Sequence, residues 1–573
     1  MGLVKKTFSG YTLKKIILSL LSFVIIAFGQ PALLWWMGPI AASIGFALFW
    51  LTTFDVNDSA VRFFRGLFWF FSVQLVQLYW FVSHPYAYIY PVYLGLCLMM
   101  GIQFGLLTSF VTREKLTALK GIVAVAAFWV VMEWSRLFIL SGFSWNPVGL
   151  YLSTTFYGIQ FASLFGVYGM SFCVILANIL ALRLIIFSLN KGRAIAFAVC
   201  VMMPYGYGVG HYMYHNASNR SDDSFNVVLA QTAFPVEEAL GINSTSQFVA
   251  YVIDEWEQIL SITKKNIGQD VNLVVLPEFV VPLGTYTFIY PYETVKSRFE
   301  RQYGTENLKH LPLLKLPFAK EIQTANGKAY FVNNAYWAQA IANTFDAPIL
   351  LGLEDVDEVG EGEMEYYSAA VMIQPNKELA SHWPYESQRY EKRVLVPMGE
   401  YIPFEFCKEL AKSYGVQGSF TCGKEAKVLN GHTVPIGVSI CYEETFGNLI
   451  RESRKNGAEV FVNLTSDVWY PDSTLTSQHL EHARLRTVES GVPLIRSCNT
   501  GITCGIDSFG RTVDFLEEYD VEGHWNADSL YTKVPKYHYK TLYTEVGDGS
   551  IIGFCAIAIT IFLCSNRKKK KFF

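Results

Sequence analysis

Three residues of different chemistry stand at the ends of apolar runs in this chain. Glu278 closes "VNLVVLPEF" (271–279), Lys392 sits in "YEKRVLVPMGEYIPF" (390–404), and Cys441 interrupts "VSICYEETF" (438–446). A free thiol with a reference pKa of about 8.5 is only a few per cent thiolate near neutrality, so a nucleophilic cysteine needs a base or a cation beside it. Glu278 can take the thiol proton and Lys392 can supply the positive charge. Together the three suit attack on an acyl carbon to form a thioester. Water would resolve that thioester in a hydrolase, and an amine would resolve it in an N-acyltransferase. The three residues alone leave both routes open, and a non-enzymatic lipid or lipoprotein binder is a third reading.

The elements that must bring these residues together are short and almost continuously apolar. Besides the runs at 271–279 and 434–443, "APILLGLE" (347–354), "YSAAVMIQP" (367–375), "AEVFVNLTSD" (458–467) and "VPLIRSCNTG" (492–501) predict strands buried on both faces. "STLTSQHLEHARLRTVESG" (473–491) has helical spacing. An α/β domain follows, with reacting groups collected where strands end at their carboxyl side.

The rest of the chain is a membrane sequence. Of 573 residues 51% are hydrophobic, and the apolar residues crowd into the first 214 positions. Spans are expected near 16–29, 32–52, 62–83, 89–111, 119–140, 158–187, 194–213 and 547–565, each near the length a bilayer demands. Lysine and arginine mark the cytoplasmic side: Lys5, Lys6, Lys14 and Lys15 precede the first span, Arg62 and Arg65 follow the second, Arg113, Lys115 and Lys120 the fourth, Lys191 and Arg193 the sixth. The expected division is a membrane domain over 1–214, an extracytoplasmic catalytic domain over 225–540, an eighth span at 547–565 and a basic cytoplasmic tail at 566–573. Both termini are expected in the cytoplasm. A retained anchor, without signal-peptide cleavage, is expected from spans that follow the first directly.

The motifs "LPE", "YEKRVLVPMGEYIP", "GVSICYE", "SDVWY", "SQHLEHARLRTVESGVPLIRSCNTGI" and "IDSFGR" resemble, in order and character, those of the apolipoprotein N-acyltransferases, membrane-embedded members of the nitrilase superfamily. "SGFSWNPVG" (141–149) and "GVYGMSFCVILAN" (166–178) resemble that family's fifth and sixth span regions. The resemblance implies a multispan α-helical membrane domain joined to a nitrilase-like αββα sandwich, in a bacterial inner membrane with the catalytic domain on the periplasmic side. It implies Glu278 as general base, Lys392 as stabiliser of the tetrahedral intermediate and Cys441 as nucleophile. Glu400 matches a glutamate that supports the lysine. Tyr442 and Glu443 match the residues after the nucleophile, with the Tyr442 backbone N–H a candidate oxyanion donor, and Trp469 matches a loop residue near the entrance. The implied reaction moves an acyl chain from a phospholipid to the α-amine of a lipoprotein's diacylglyceryl-cysteine, with membrane lipids as surroundings and no metal, cofactor or nucleic acid. Three features depart from the family: no tryptophan follows Gln231 at the expected spacing within 226–243, Ser466 stands where asparagine is common, and the piece at 286–327 is expanded, either as a lid or as a solvated insertion.

Other constellations carry less. His479 and His482 are three apart on the expected helix and lack a third ligand, so a packed or exposed pair is expected. The ten cysteines are too dispersed for a disulfide framework, although Cys407 and Cys422 can pair if the domain faces an oxidising compartment. Glu133 and Arg136 are spaced for a structural pair near a span's end. Arg567 and Lys568–Lys571 suit anionic lipid heads.

Overall fold

The computed structural model describes residues 2–187, 189–218, 223–236, 241–242, 244–325, 327–360, 362–376, 388–409 and 419–570. Parts of the stretch 226–243, of the expanded piece and of the basic tail therefore lie outside the described residues. The chain forms two units: 1–220 with 470–491 and 539–573, and 221–469 with 492–538. The expected cut at 225 and 540 did not separate Tyr470–Gly491 from the sheet domain.

In the first unit, the helices Trp35–Thr53, Ile89–Phe110, Leu119–Phe138, Ala162–Ile186, Lys191–Ala217 and Leu542–Ser565 are long and apolar enough to cross a membrane. Helices Gly2–Phe28 and Ser59–Gln77 accompany them. Several polar side chains among these helices are held by local partners, which lowers the cost of placing them in a medium without water. Glu133 Oε1 accepts from Val148 N at 2.8 Å and Trp129 Nε1 at 3.2 Å, while Arg136 Nε donates to Gln103 Oε1 at 2.7 Å. The helix Ala162–Ile186 breaks at Phe165 and Gly166. Gly166 has φ +63°, and a Cβ there would lie 2.5 Å from the Tyr543 ring. The break frees the N–H of Val167, which donates to Glu489 Oε1 at 2.8 Å. Glu489 lies on the helix Leu475–Ser490, which is thereby tied to the first unit. His479 and His482 lie buried on that helix, with the Trp145 ring 5.6 and 5.0 Å away.

The second unit contains strands β1 Ser224–Gln231, β2 Leu273–Val275, β3 Tyr290–Pro291, β4 Ala319–Thr324, β5 Gly327–Val332, β6 Ile349–Gly360, β7 Glu363–Ile373, β8 Arg389–Glu391, β9 Val428–Asn430, β10 Pro435–Ile440, β11 Val460–Thr465, β12 Leu494–Cys498, β13 Cys504–Ile506, β14 Thr512–Phe515 and β15 Asp528–Pro535. One sheet runs β15-β1-β2-β6-β7-β8 and the other β14-β13-β12-β11-β10-β9. In each, three central strands are parallel (β1, β2, β6 and β10, β11, β12) and the edges antiparallel. Both faces of the central strands are covered, which is why they read as unbroken apolar runs. Val227, Leu229, Leu273, Val275 and Leu350 meet Ile436, Val438, Ile440, Val462 and Leu464 in the layer between the sheets. The opposite face of the first sheet buries Val228, Val274 and Ile349 against Trp256 and Trp337 from the helices Thr245–Thr263 and Asn334–Phe345. The helix Gly447–Lys455 approaches β10 on its outer side, where Ser453 Cβ would stand 3.0 Å from a Cβ on Gly437. This is the expected order of helix, sheet, sheet and helix.

The expanded piece at 286–327 is built into the helix-side core. It forms β3, the helix Tyr292–Tyr303 and β4, and buries Tyr290, Val295, Phe299 and Tyr303 with Trp256 and Trp337. Arg298 pairs with Glu257 and, at 3.2 Å, with Asp254. Cys407 and Cys422 are both free thiols, and the expected option of a disulfide between them is not realised.

Candidate active site

Two sheets brought face to face align the carboxyl ends of their parallel strands, and three of the sequence-predicted residues meet there. Glu278 follows β2 and is 4% exposed; Lys392 follows β8 and is 1% exposed. Lys392 Nζ lies 2.9 Å from Glu278 Oε1 and 2.5 Å from Glu400 Oε1. The Glu278 and Cys441 side chains are close enough to shift each other's ionisation. Lys392 thus sits between two carboxylates, and one of those carboxylates also faces the sulfur.

Backbone geometry makes each approach possible. After β2 the chain turns through Pro277, and β6 passes close beneath it: Gly352 N donates to Pro277 O at 3.1 Å, and Val280 N donates to Gly352 O at 2.9 Å. A Cβ on Gly352 would stand 2.6 Å from the Glu278 Cα, so only glycine fits. Cys441 has φ +49°, a left-handed conformation that a non-glycine residue adopts only when its surroundings impose it. Glu400 is tied into its own turn, with Oε2 accepting Val396 N at 2.8 Å.

Glu443 supplies much of the constraint. It is fully buried, and Oε1 accepts Arg393 N at 2.6 Å and Val394 N at 3.1 Å. Its Oε2 accepts Ile440 N at 2.8 Å and the Tyr390 hydroxyl at 2.9 Å. One carboxylate therefore joins the backbone just after Lys392 to the backbone just before Cys441. Glu444 is also fully buried and pairs with Arg496 at 3.2 Å. Tyr442 is buried, its ring edge-on to Phe446 at 4.9 Å. Trp469 is partly exposed in the turn after β11. Ser466 Oγ accepts from Asn499 Nδ2 at 3.2 Å, so the serine at this departure retains a polar contact.

Electrostatics follow from burial. Burial works against the Lys392 charge, but the Glu278 and Glu400 carboxylates outweigh it and keep the lysine an ammonium group. Burial raises the Glu278 carboxyl above its usual range while Lys392 opposes the rise. Burial and the Glu278 charge hold the Cys441 thiol protonated at rest, with Lys392 pulling the other way. A proton shared between thiol and carboxylate beside a fixed cation can be moved when an electrophile arrives.

Sequence reasoning missed Tyr390, whose hydroxyl helps hold Glu443, and Asn463, whose Nδ2 lies 3.3 Å from the Cys441 carbonyl. Both hold parts of the site through partners distant in the chain, which strand register brings near. Beside the site, Phe279 stacks on Phe420 at 5.7 Å and remains 36% exposed, and Phe404 is 47% exposed.

Known proteins resemble this chain over most of its length. Residues 239–535 match the carbon-nitrogen hydrolase family, and residues 22–180 match the apolipoprotein N-acyltransferase N-terminal domain. A Chlamydia pneumoniae protein named apolipoprotein N-acyltransferase is 32% identical over 94% of this chain and 95% of its own. A protein of the same name from Chlamydia caviae is 30% identical over 96% and 97%. Among solved structures, Saccharomyces cerevisiae Nit3 of the nitrilase superfamily is 15% identical over 56% of this chain and 93% of its own, with a TM-score of 0.33, too slight a likeness to argue from. With a relative above 30% identity over nearly the whole length and both domain models in order, the chain belongs to the apolipoprotein N-acyltransferase family.

Proposed function

We propose that this acyltransferase carries a fatty acyl group from a phospholipid to the α-amine of a diacylglyceryl-cysteine by way of a thioester on Cys441. Glu278 takes the thiol proton as sulfur attacks the ester carbonyl, then returns it to the departing lysophospholipid oxygen as the C–O bond breaks. In the second half the amine attacks the thioester, Glu278 takes its proton, and the C–S bond breaks to regenerate the thiol. Lys392, held by Glu278 and Glu400, stays charged throughout and steadies the tetrahedral intermediates. The Tyr442 backbone N–H is the oxyanion donor, a contribution of roughly 3 kcal/mol for a single such group. Glu443 keeps Lys392 and Cys441 at their working separation. Phe279, Phe420 and Phe404 offer the acyl chain an apolar surface, and Trp469 lies at the entrance.

The observation that carries this reading is the Lys392 ammonium bridged between two carboxylates, one of them buried and facing a cysteine held at positive φ. The chain is a membrane protein of eight spans. The distribution of lysine and arginine supports cytoplasmic termini and a periplasmic catalytic domain cut near 225 and 540. Membrane anchoring favours an amine acceptor over water, because a dry site at the lipid surface protects a thioester. The test is a two-stage chase: label the purified protein with a radioactive phospholipid, then add a diacylglyceryl-cysteine peptide. Label moving to the peptide amine supports transfer; label released as free fatty acid at the same rate with and without peptide identifies a hydrolase.

A further inference from the structure

Strand β11 runs parallel to the nucleophile strand β10, with Ser439 opposite Asn463 and Ile440 opposite Leu464. One step further along the chain, Thr465 follows Leu464 as Cys441 follows Ile440. Residues 463 and 465 share a face, since strand side chains alternate. Asn463 uses that face to hold the turn: Nδ2 donates to Ser439 Oγ at 3.1 Å and to the Cys441 carbonyl at 3.3 Å. Thr465 is fully buried, and among the described residues its Oγ1 takes up no oxygen or nitrogen partner. Its backbone is anchored, with Asn499 N donating to Thr465 O at 2.9 Å. A buried hydroxyl with nothing to bond costs free energy unless it has a purpose at some other stage of the reaction.

The group within its reach is the sulfur. The Thr465 hydroxyl favours the charged form of the Cys441 thiol, although in the resting structure it makes no hydrogen bond among the described residues. A neutral thiol is a weak acceptor and a thiolate a strong one, so the hydroxyl gains most when sulfur is negative. Charged groups that also bear on the sulfur include Glu278 after β2, Lys392 after β8 and Asp467 after β11, of which Lys392 supplies positive charge. A neutral donor on a fixed strand adds stabilisation there without competing for the proton that Glu278 takes.

We propose that Thr465 is a further catalytic residue, whose hydroxyl turns to donate a hydrogen bond to Cys441 Sγ whenever that sulfur carries negative charge, on attack and again as the thioester breaks. The proposal rests on Cys441 being the acylated nucleophile.

The experiment uses the full-length protein in detergent. Thr465→Val removes the hydroxyl at nearly constant shape, Thr465→Ala removes it without bulk, and Thr465→Ser keeps it. Alkylation of Cys441 by iodoacetamide is followed by peptide mass mapping across pH, and acyl-enzyme formation from a labelled phospholipid is followed in parallel. Both hydroxyl-free variants are expected to shift the alkylation profile to higher pH and to slow acylation by about ten- to a hundredfold, the range for a hydrogen bond to a charged group. The donor concentration for half-saturation stays unchanged, and the serine variant recovers the rate. A valine or alanine variant with the native profile and rate overturns the proposal. So does a serine variant as slow as valine, because packing rather than the hydroxyl would then set the rate. Acyl label retained on a Cys441→Ala protein would instead overturn the nucleophile assignment, a distinct failure.

Discussion

Replacing Glu443 by glutamine changes one oxygen to an NH2 group and tests whether this carboxylate sets the spacing of the site. The carboxylate accepts four donors, three of them backbone N–H groups, at 2.6, 3.1, 2.8 and 2.9 Å. A glutamine can keep its oxygen toward Arg393 and Val394, but its NH2 then meets the Ile440 N–H, donor against donor. The Tyr390 hydroxyl can turn to accept. One buried N–H is left unpaired, at about 1–3 kcal/mol, and the retained bonds lose the reinforcement of a full charge, at roughly 0.5–1 kcal/mol each. The sum, about 2–5 kcal/mol, is a large part of the 5–15 kcal/mol that typically separates folded from unfolded domains. The strain falls on Ile440, the residue before the nucleophile, so Cys441 shifts relative to Lys392. A displacement of about 1 Å at such a site costs on the order of a hundredfold in rate. The assay is single-turnover acyl-enzyme formation at saturating phospholipid, with the thermal midpoint measured on the same sample. A Glu443→Gln protein with native acylation rate and native midpoint would refute the coupling through Glu443.

Other perturbations reach the site from different sides. Gly352→Ala places a methyl 2.6 Å from the Glu278 Cα, and since both atoms belong to backbone-fixed elements, acyl-enzyme formation should fall at least about tenfold; a native rate would show that β6 yields easily. Ionised Glu278 is needed as base and its pKa is raised by burial, so the acid limb of kcat/KM should lie above the usual carboxylate range. Glu278→Gln should remove that limb and slow acylation by roughly two to four decades. The stability slope has the opposite sign: a carboxyl whose pKa rises on folding holds its proton more tightly in the native state, so its ionisation costs stability as pH rises. Arg389, 8% exposed, pairs with Asp355 at 2.9 Å and also with Asp357 and Glu391 on the strands leading to Lys392. Arg389→Met should leave Asp355 buried without its cation and destabilise the domain by about 3–5 kcal/mol, read as a fall in thermal midpoint; an unchanged midpoint would mean that solvent reaches Asp355.

Much of this site was legible because its chemistry stands where local patterns end. The apolar runs before Glu278 and Cys441 are central parallel strands, and such strands show themselves in a single sequence by continuous hydrophobicity. Glu400 was legible through the motif that carries Lys392. Tyr390 and Asn463 were not, because their partners come from register between strands far apart in the chain: Tyr390 reaches Glu443, and Asn463 reaches Cys441. The placement of Tyr470–Gly491 was equally hidden. Its helix has ordinary spacing, and its ties to the first unit come from residues far away in the chain, among them the Val167 N–H freed where the helix Ala162–Ile186 breaks at Gly166, which Glu489 accepts, and the Trp145 ring beside His479 and His482. The expanded piece at 286–327 was read as a lid or a solvated insertion, yet its aromatic residues Tyr290, Phe299 and Tyr303 complete a core whose other side chains come from distant helices.

The most direct measurement of the central claim is intact-mass and peptide mapping of the native protein and its Cys441→Ala variant after incubation with a phospholipid alone. A single hydroxylamine-sensitive acyl adduct on the Cys441 peptide of the native protein, absent from the variant, is the predicted result. An adduct of equal yield on both proteins, or one mapping to another residue, would contradict thioester formation on Cys441.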